Sequence, residues 1–454
     1  MLIFSLIFYA WGEPKYVFLL LFLSFTSWFF ALQTEKYKSE NPKKAKLMTA
    51  LGCALAILVL GIFKYAGFIL TNIQSLTGFP ESIPEISLPI GISFYTFQLM
   101  TYIIDVYRGD APAQKRYDRL LLYASLFHQC IAGPIVRYSD ISNEITDRKP
   151  DFDDFNKGVM RFSTGLAKKV LLANNCGSLA DALLTGDTTA LADSISLLSS
   201  RSALSVWVGM IFYMLQLYLD FSAYSDMAIG MGLMTGFHYR ENFDYPYTSH
   251  SVTEFWRRWH ISLSSFFRDY VYIPLGGNRK GKARRFFNLF IVWTLTGLWH
   301  GASWNYVLWG LYFFVFLVLE KTFLSERLKK APRALSCIYT LVIVYFSWVL
   351  FKFEDMTLLK TALKGMFGLN GNPLATHESF VYTASNLPFL ILAAVSTTPI
   401  VKYLQKIIDR LSVRYSSVNT VYCIFRAVIP AALVILSAVC LVGDSYNPFL
   451  YFRF

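Results

Sequence analysis

Charge is scarce in this sequence. Only 16% of its 454 residues are Asp, Glu, Lys or Arg, against 55% hydrophobic and 17% aromatic, and the mean hydropathy is +0.42. Soluble domains carry about 25% charged residues, so a soluble globular protein is excluded and a polytopic membrane protein is expected. The sequence lacks a Gly-rich nucleotide loop, metal-ligand spacing and a G-x-S-x-G elbow, so no soluble hydrolase active site is visible and no metal is expected. Its six cysteines, Cys53, Cys130, Cys176, Cys337, Cys423 and Cys440, lie mostly in apolar runs. They read as small core residues, with no disulfide framework. Leu2 to Trp11 lacks a signal-peptide layout. No internal repeat or low-complexity linker interrupts the chain, so one membrane-embedded domain, 1–454, is expected.

Basic residues are present, with a net charge of +12, but they gather in loops that alternate with loops poor in them. That is the pattern of membrane orientation, so nucleic acid is not an expected partner. Lys36, Lys38, Lys43, Lys44 and Lys46 put residues 33–46 inside, whereas 71–87 and 176–200 have no Lys or Arg and belong outside. Apolar spans are expected at Tyr16–Leu32, Leu47–Leu70, Leu88–Ile104, Ser205–Leu233, Leu335–Leu350, Asn386–Val401 and Cys423–Val442. Between 118 and 175, Leu120–Val136 and Val159–Ala173 are both apolar enough to enter the membrane. Loop charges require an odd number of crossings there, so one of the two is expected to be re-entrant or interfacial, with Gly133-Pro134 as the break. Residues 235–285 hold nine Lys or Arg among many aromatics and read as an amphipathic segment on the cytoplasmic side. There Glu254 is spaced to pair with Arg257 and Arg258, and Phe255, Trp256 and Trp259 suit a membrane interface. Residues 443–454 then form an extracytoplasmic tail.

The chain is organised around Phe286 to Leu319, an apolar aromatic stretch with one residue that titrates near neutral pH, His300. Clusters of Lys and Arg flank it on both sides, so it enters and leaves on one face. Two full crossings need roughly 40 apolar residues, more than the stretch contains, so a hairpin of short or broken helices turning near Gly301 is expected. At about 1.5 Å per residue, His300 lies roughly 22 Å from the inner face of a core about 30 Å thick. An ionisable group that deep is costly and by default functional, although a His satisfied by a neighbouring helix is the competing reading. His260 reads on its own as a structural residue of an amphipathic helix. Asp220 and Asp226 read as carboxylates paired inside the bundle. His128, His238, His250 and His377 belong to no constellation. The basic run Gly276–Arg285 and the pair Arg257 and Arg258 read first as orientation signals.

Several longer motifs follow one another: Leu88-Pro-Ile-Gly-Ile-Ser-Phe-Tyr-Thr-Phe-Gln98, Ile131-Ala-Gly-Pro-Ile-Val-Arg-Tyr138, Asp220-Phe-Ser-Ala-Tyr-Ser-Asp-Met-Ala-Ile-Gly230, Glu241-Asn-Phe-Asp-Tyr-Pro-Tyr247, Glu254-Phe-Trp-Arg-Arg-Trp-His-Ile-Ser-Leu-Ser264, Arg268 to Asn278, and Trp299-His-Gly301. Together they closely resemble the membrane-bound O-acyltransferase family, in its branch of alginate-type polysaccharide O-acetylation. The resemblance runs from about Phe8 to Phe454. It departs at the start, because the family usually has a further apolar segment ahead of the Phe8–Pro14 run; either Met1 is a late start or this member lacks that helix.

The resemblance implies an all-α polytopic bundle of roughly 11 membrane segments, with re-entrant or broken helices around a central tunnel. It implies transfer of an acetyl group from a cytoplasmic thioester, acetyl-CoA, for O-acetylation of an extracytoplasmic polysaccharide. His300 matches the family's embedded histidine, the expected general base, and His260 matches the second one, on the donor channel. Arg257 and Arg258 become candidates for the donor's phosphates. The tail Phe449-Leu-Tyr-Phe-Arg-Phe454 resembles a terminal motif on the acyl path, with Tyr451 as acyl acceptor. Implied partners are an extracytoplasmic acetyltransferase that completes transfer to the glycan, and membrane lipids. The implied location is the bacterial plasma membrane. Two alternatives stay open: D-alanyl transfer to teichoic acid, and a lipid or glycan transporter without chemistry.

Overall fold

The computed structural model describes residues 1–80, 82–84, 86–186, 188, 190–443 and 449. Every regular element among them is helical: α1 Leu2–Gly12, α2 Val17–Glu40, α3 Pro42–Thr77, α4 Ile92–Arg108, α5 Tyr117–Ser125, α6 Tyr138–Thr146, α7 Phe152–Ala167, α8 Asn174–Leu183, α9 Leu191–Ser200, α10 Ala203–Met234, α11 Val252–Arg258, α12 Ile261–Phe267, α13 Gly281–His300, α14 Trp304–Leu319, α15 Ser325–Lys330, α16 Arg333–Lys352, α17 Met356–Met366, α18 His377–Ser396, α19 Ile400–Arg414 and α20 Ser416–Gly443. π-helical turns continue α7, α12 and α14 at Lys168–Ala173, Arg268–Tyr272 and Glu320–Leu324.

Contacts gather these elements into two compact units, Met1–Val159 with Ala228–Glu241, and Met160–Met227 with Asn242–Phe454. The sequence expects one domain with no linker; the unit boundaries fall inside α7, inside α10 and in the connection between α10 and α11.

In the first unit, α2 and α3 meet at a single residue. Asn41 caps α3, its side chain accepting from the Lys44 amide, and Pro42 opens the helix. Proline is tolerated there because its missing N–H has no partner in the first turn. The expected inside loop 33–46 is therefore mostly helix, and its lysines sit on helix ends. Gly52 lets α3 approach α2 and α4; a Cβ there would lie 2.9 Å from Phe30 Cβ and 3.0 Å from Ile103.

The expected apolar segment Leu120–Val136 is not one helix. α5 stops at Ser125, eight residues before Gly133. The chain then runs buried without regular structure, held by Tyr123, whose hydroxyl donates to the Val136 carbonyl at 2.8 Å, and by Gln129, whose amide donates to the Tyr123 carbonyl at 2.8 Å. Backbone that leaves a helix in a buried setting needs such side-chain partners, and hydropathy does not register them.

The second unit is centred on stacked aromatics. Phe255, Trp256, Trp259, Trp309, Phe313 and Trp348 are all buried and in mutual ring contact. Expected at a membrane interface, Phe255, Trp256 and Trp259 instead form core, because α11 packs on α14 and α16.

Seven described helices are long and apolar enough to cross a membrane: α2, α3, α10, α14 with its continuation to Lys330, α16, α18 and α20. α3, α18 and α20 turn Ile57, Leu58, Ile391, Leu392, Ile435 and Val439 outward, the pattern of helices solvated by lipid.

Candidate functional site

The stretch around His300 is a helical hairpin, α13 and α14, turning at Gly301–Ser303. Its two helices touch backbone to backbone. A Cβ on Gly297 would lie 2.3 Å from the Tyr306 carbonyl oxygen, and one on Gly310 would lie 2.2 Å from that of Trp293. No real Cβ tolerates such a distance, so glycine at both positions sets the interhelical spacing. The turn is anchored to the end of α16. Asn305 donates to the Leu350 carbonyl at 3.3 Å, and Tyr306 donates to a Glu354 carboxylate oxygen at 2.9 Å.

His300 is the last residue of α13 and is buried. Its ring lies against Trp299 at 4.9 Å, Trp309 at 4.8 Å and Phe351 at 5.2 Å. Three aromatic rings thus line its surroundings.

His260 does not sit on a helix, as the sequence expected. It forms the break between α11 and α12 with a φ of +44°, a backbone region that non-glycine residues rarely adopt. Its neighbours explain why the conformation persists. The Asn242 carbonyl accepts the Ile261 amide at 2.9 Å, and the Asn242 side-chain oxygen accepts the Ser262 amide at 3.1 Å and the Ser262 hydroxyl at 2.8 Å. A backbone N–H only donates, so the Asn242 oxygen, not its nitrogen, faces this way. That same oxygen lies 3.2 Å from His260 Nδ1. Nδ1 therefore carries the proton and, in the neutral ring, Nε2 is the acceptor. Fully buried, Nε2 has no hydrogen-bonding partner among the described residues.

One indole joins the two histidines. Trp299 is 4.9 Å from the His300 ring and 5.7 Å from the His260 ring. Both sequence-selected histidines thus border one buried aromatic floor.

α11, which leads into His260, is tied to the hairpin by Glu320. This buried carboxylate, just past α14, accepts the Val252 amide at 2.6 Å, the Thr253 amide at 2.9 Å and the Thr253 hydroxyl at 2.6 Å. Beside it opens a cleft of about 570 Å³ whose lining includes Arg257, Arg285, Lys321 and Lys329. Arg257 and Arg258, treated alike in the sequence, separate here. Arg258 is held by Glu254 at 2.6 Å and reaches the Thr248 hydroxyl, whereas Arg257 faces the cleft.

Asp220 and Asp226 are both paired with cations: Asp220 with Lys169 at 2.6 Å, and Asp226 with Arg161 at 2.9 Å and with Lys168. His128 meets the Tyr239 hydroxyl at 2.8 Å. His238 lies between Glu144 at 2.7 Å and Asp154 at 3.0 Å. His250 borders the cleft, and His377 opens α18. Exposed Asp151 and Asp153 and half-buried Asp154 lie close enough to share a cation, but Asp154 is already engaged by His238. Tyr451 lies outside the described residues.

Sequence reasoning missed Asn242, Glu320 and Trp309. Asn242 lies inside a motif already singled out. Glu320 was legible as an acid directly after sixteen helical residues without a charge, a costly position in a membrane segment. Trp309 offered no signal beyond its apolarity.

The family model of the membrane-bound O-acyltransferases matches residues 117–359. The chain is 35% identical to a probable alginate O-acetylase of Pseudomonas putida, over 100% of this chain and 94% of that protein. It is 33% identical to a peptidoglycan O-acetyltransferase of Helicobacter pylori, over 81% of this chain and 73% of that protein. A teichoic acid D-alanyltransferase of Bacillus subtilis is 26% identical over 58% of this chain and 67% of that protein.

Proposed function

We propose, on the premise that the chain belongs to the membrane-bound O-acyltransferase family, that it moves acetyl groups across a bacterial plasma membrane for O-acetylation of an extracytoplasmic polysaccharide. The chain is a multi-pass membrane O-acyltransferase; the donor, the acceptor route and the residue roles are the proposal. The observation that carries it is the meeting of His260 and His300, both buried, on the ring of Trp299.

The donor is acetyl-CoA. Arg257, with Arg285 and Lys321 beside it in the cleft, meets its phosphates, while Arg258 supports α11 through Glu254. Phosphate oxygens are strong acceptors for guanidinium and ammonium groups. His300 takes the proton of an attacking hydroxyl. The oxygen bonds to the thioester carbonyl carbon, the C–S bond breaks, and the thiolate leaves with the proton that His300 returns. General-base assistance of this kind contributes typically 10²–10⁴-fold. His260, its proton fixed on Nδ1, lines the donor side and offers Nε2 as an acceptor.

The first acceptor is the Tyr451 hydroxyl. A phenol with a pKa of about 10 is easier to deprotonate than a sugar hydroxyl, and its ester is more reactive, so onward transfer runs downhill. A separate extracytoplasmic acetyltransferase then completes transfer to the glycan. Greater identity to the acetylases than to the D-alanyltransferase favours acetyl as the acyl group.

Purified protein in lipid, given acetyl-labelled acetyl-CoA, is expected to acquire label in its C-terminal peptide. Tyr451→Phe is expected to abolish that label without unfolding the protein. Label at wild-type level in the Phe variant overturns the acceptor, and no label on any form overturns the donor. Label from a charged D-alanyl carrier instead moves the chain to the teichoic-acid branch.

A further inference from the structure

The sequence motif Asp220 to Gly230 puts two carboxylates and a tyrosine in an apolar helix, and the chemistry above uses none of them. Asp226 is bound by Arg161 and Lys168. Asp220 is bound by Lys169 at 2.6 Å, and both members of that pair are almost fully buried. A buried ion pair is weak evidence for stability, because removing two charges from water offsets most of their attraction.

The Lys169 ammonium lies 4.7 Å from the centre of the Phe449 ring, and Tyr224 meets the same ring edge-on at 4.9 Å. Phe449 belongs to the terminal segment that follows α20. Asp220 and Tyr224 are one helical turn apart, so they share a face of α10. Phe221, next to Asp220, has its ring 4.7 Å from that of His260.

We propose that Lys169, Asp220 and Tyr224 form a built-in seat for the chain's own C-terminal segment, with Phe449 as the anchor that delivers the residues after it to the histidine floor. This rests on the acyl-acceptor reading of Tyr451. Asp220 orients the Lys169 ammonium, which presents its charge to the face of the Phe449 ring, an attraction that desolvation strengthens. Tyr224 adds a second, edge-on contact to the same ring. Tyr451 is two residues further on in the sequence. The ion pair is thereby explained as a positioning device, and Lys169, Asp220 and Tyr224 are positioning residues.

Lys169→Met would remove the cation paired with the buried Asp220 and is expected to misfold, so the test works from the tail. Full-length protein carrying p-benzoylphenylalanine at position 449 is illuminated in lipid and digested. The expected crosslink joins the tail to the peptide containing Lys169 or to that containing Tyr224. In parallel, Phe449→Ser is expected to lower acetyl transfer at least tenfold, and Phe449→Tyr, which keeps the ring, to restore it. Absence of both crosslinks overturns the seat whatever Tyr451 does. A crosslink with full activity in Phe449→Ser overturns its positioning role. A crosslink with activity lost in Phe449→Ser but retained in Tyr451→Phe supports the seat and removes the acceptor reading.

Discussion

His238 and His260 are both interior to kinked connections between helices, and their surroundings divide them. Both ring nitrogens of His238 face carboxylates, Glu144 and Asp154. Ionised carboxylates only accept, so the ring carries two protons. His260 faces one amide oxygen, that of Asn242, and its other nitrogen is buried among aromatic rings. The first histidine is a charged clamp between loop and helices. The second is a neutral ring with a fixed tautomer. What the second nitrogen meets, a carboxylate in one place and aromatic rings in the other, is what separates the two.

The largest effect that sharpens this contrast comes from His300, which shares the Trp299 floor with His260. His300→Ala is expected to lower acetyl transfer at least a hundredfold while leaving the thermal midpoint within a few degrees. His238→Ala, treated alike, is expected to keep the rate per folded molecule. Steady-state transfer from labelled donor measures both, and more than about a tenth of wild-type rate in His300→Ala breaks the assignment.

Next comes Asn242. Asn242→Leu frees the His260 tautomer and is expected to cost roughly tenfold or more in rate, of the size seen when hydrogen bonds that orient catalytic groups are lost. Asn242→Asp would favour the imidazolium, so the acid limb of the pH–rate profile should move to higher pH. An unchanged profile in Asn242→Asp would show that the tautomer does not matter.

A third variant separates architecture from chemistry. Gly310→Ala sets a methyl 2.2 Å from the Trp293 carbonyl oxygen and is expected to destabilise the hairpin by about 1–3 kcal/mol. The thermal midpoint should fall, and the rate should fall with it as the His300 turn shifts. An unchanged midpoint would mean that the hairpin spacing is soft.

The smallest effect belongs to His238. Hydrogen bonds donated to the Asp154 and Glu144 carboxylates raise the His238 pKa above the ordinary value, and the bond accepted from His238 lowers that of Asp154. A raised histidine contributes stability that is fully present below its unfolded pKa of about 6.5 and is lost as pH rises through the folded value. The depressed Asp154 contributes above about pH 4 and loses its share as pH falls through its own folded value. The midpoint difference between wild type and His238→Ala is therefore expected to be greatest in mildly acidic buffer and to shrink toward alkaline pH. The sites are substantially exposed, so the difference should be small; a difference that grows with pH would contradict the clamp.

Much of this was legible in the chain. The long apolar runs became α2, α3, α10, α16, α18 and α20, because a segment that must satisfy its own backbone in lipid has little choice but helix. The hairpin at Gly301 and the weight on His300 and His260 followed from isolation, spacing and motif resemblance. The end of α5 at Ser125 was not legible, because its capping partners Tyr123 and Gln129 look like ordinary helix residues. Nor was the core position of Phe255, Trp256 and Trp259, since an aromatic residue reads the same at an interface and in a core until its neighbours are known.

By itself, the sequence determined that this chain is a multi-pass helical acyltransferase and singled out His300 and His260 as candidates, because hydropathy, charge distribution and motif order are properties of the chain alone. Only the tertiary structure decided that Trp299 joins those histidines, that Asn242 sets the proton on His260, and that Arg257 faces a cleft shared with Arg285 and Lys321. Each of these depends on which side chain residues far apart in the chain bring within about 3 to 6 Å, and at that range the direction of a hydrogen bond is set by partners the chain order does not reveal.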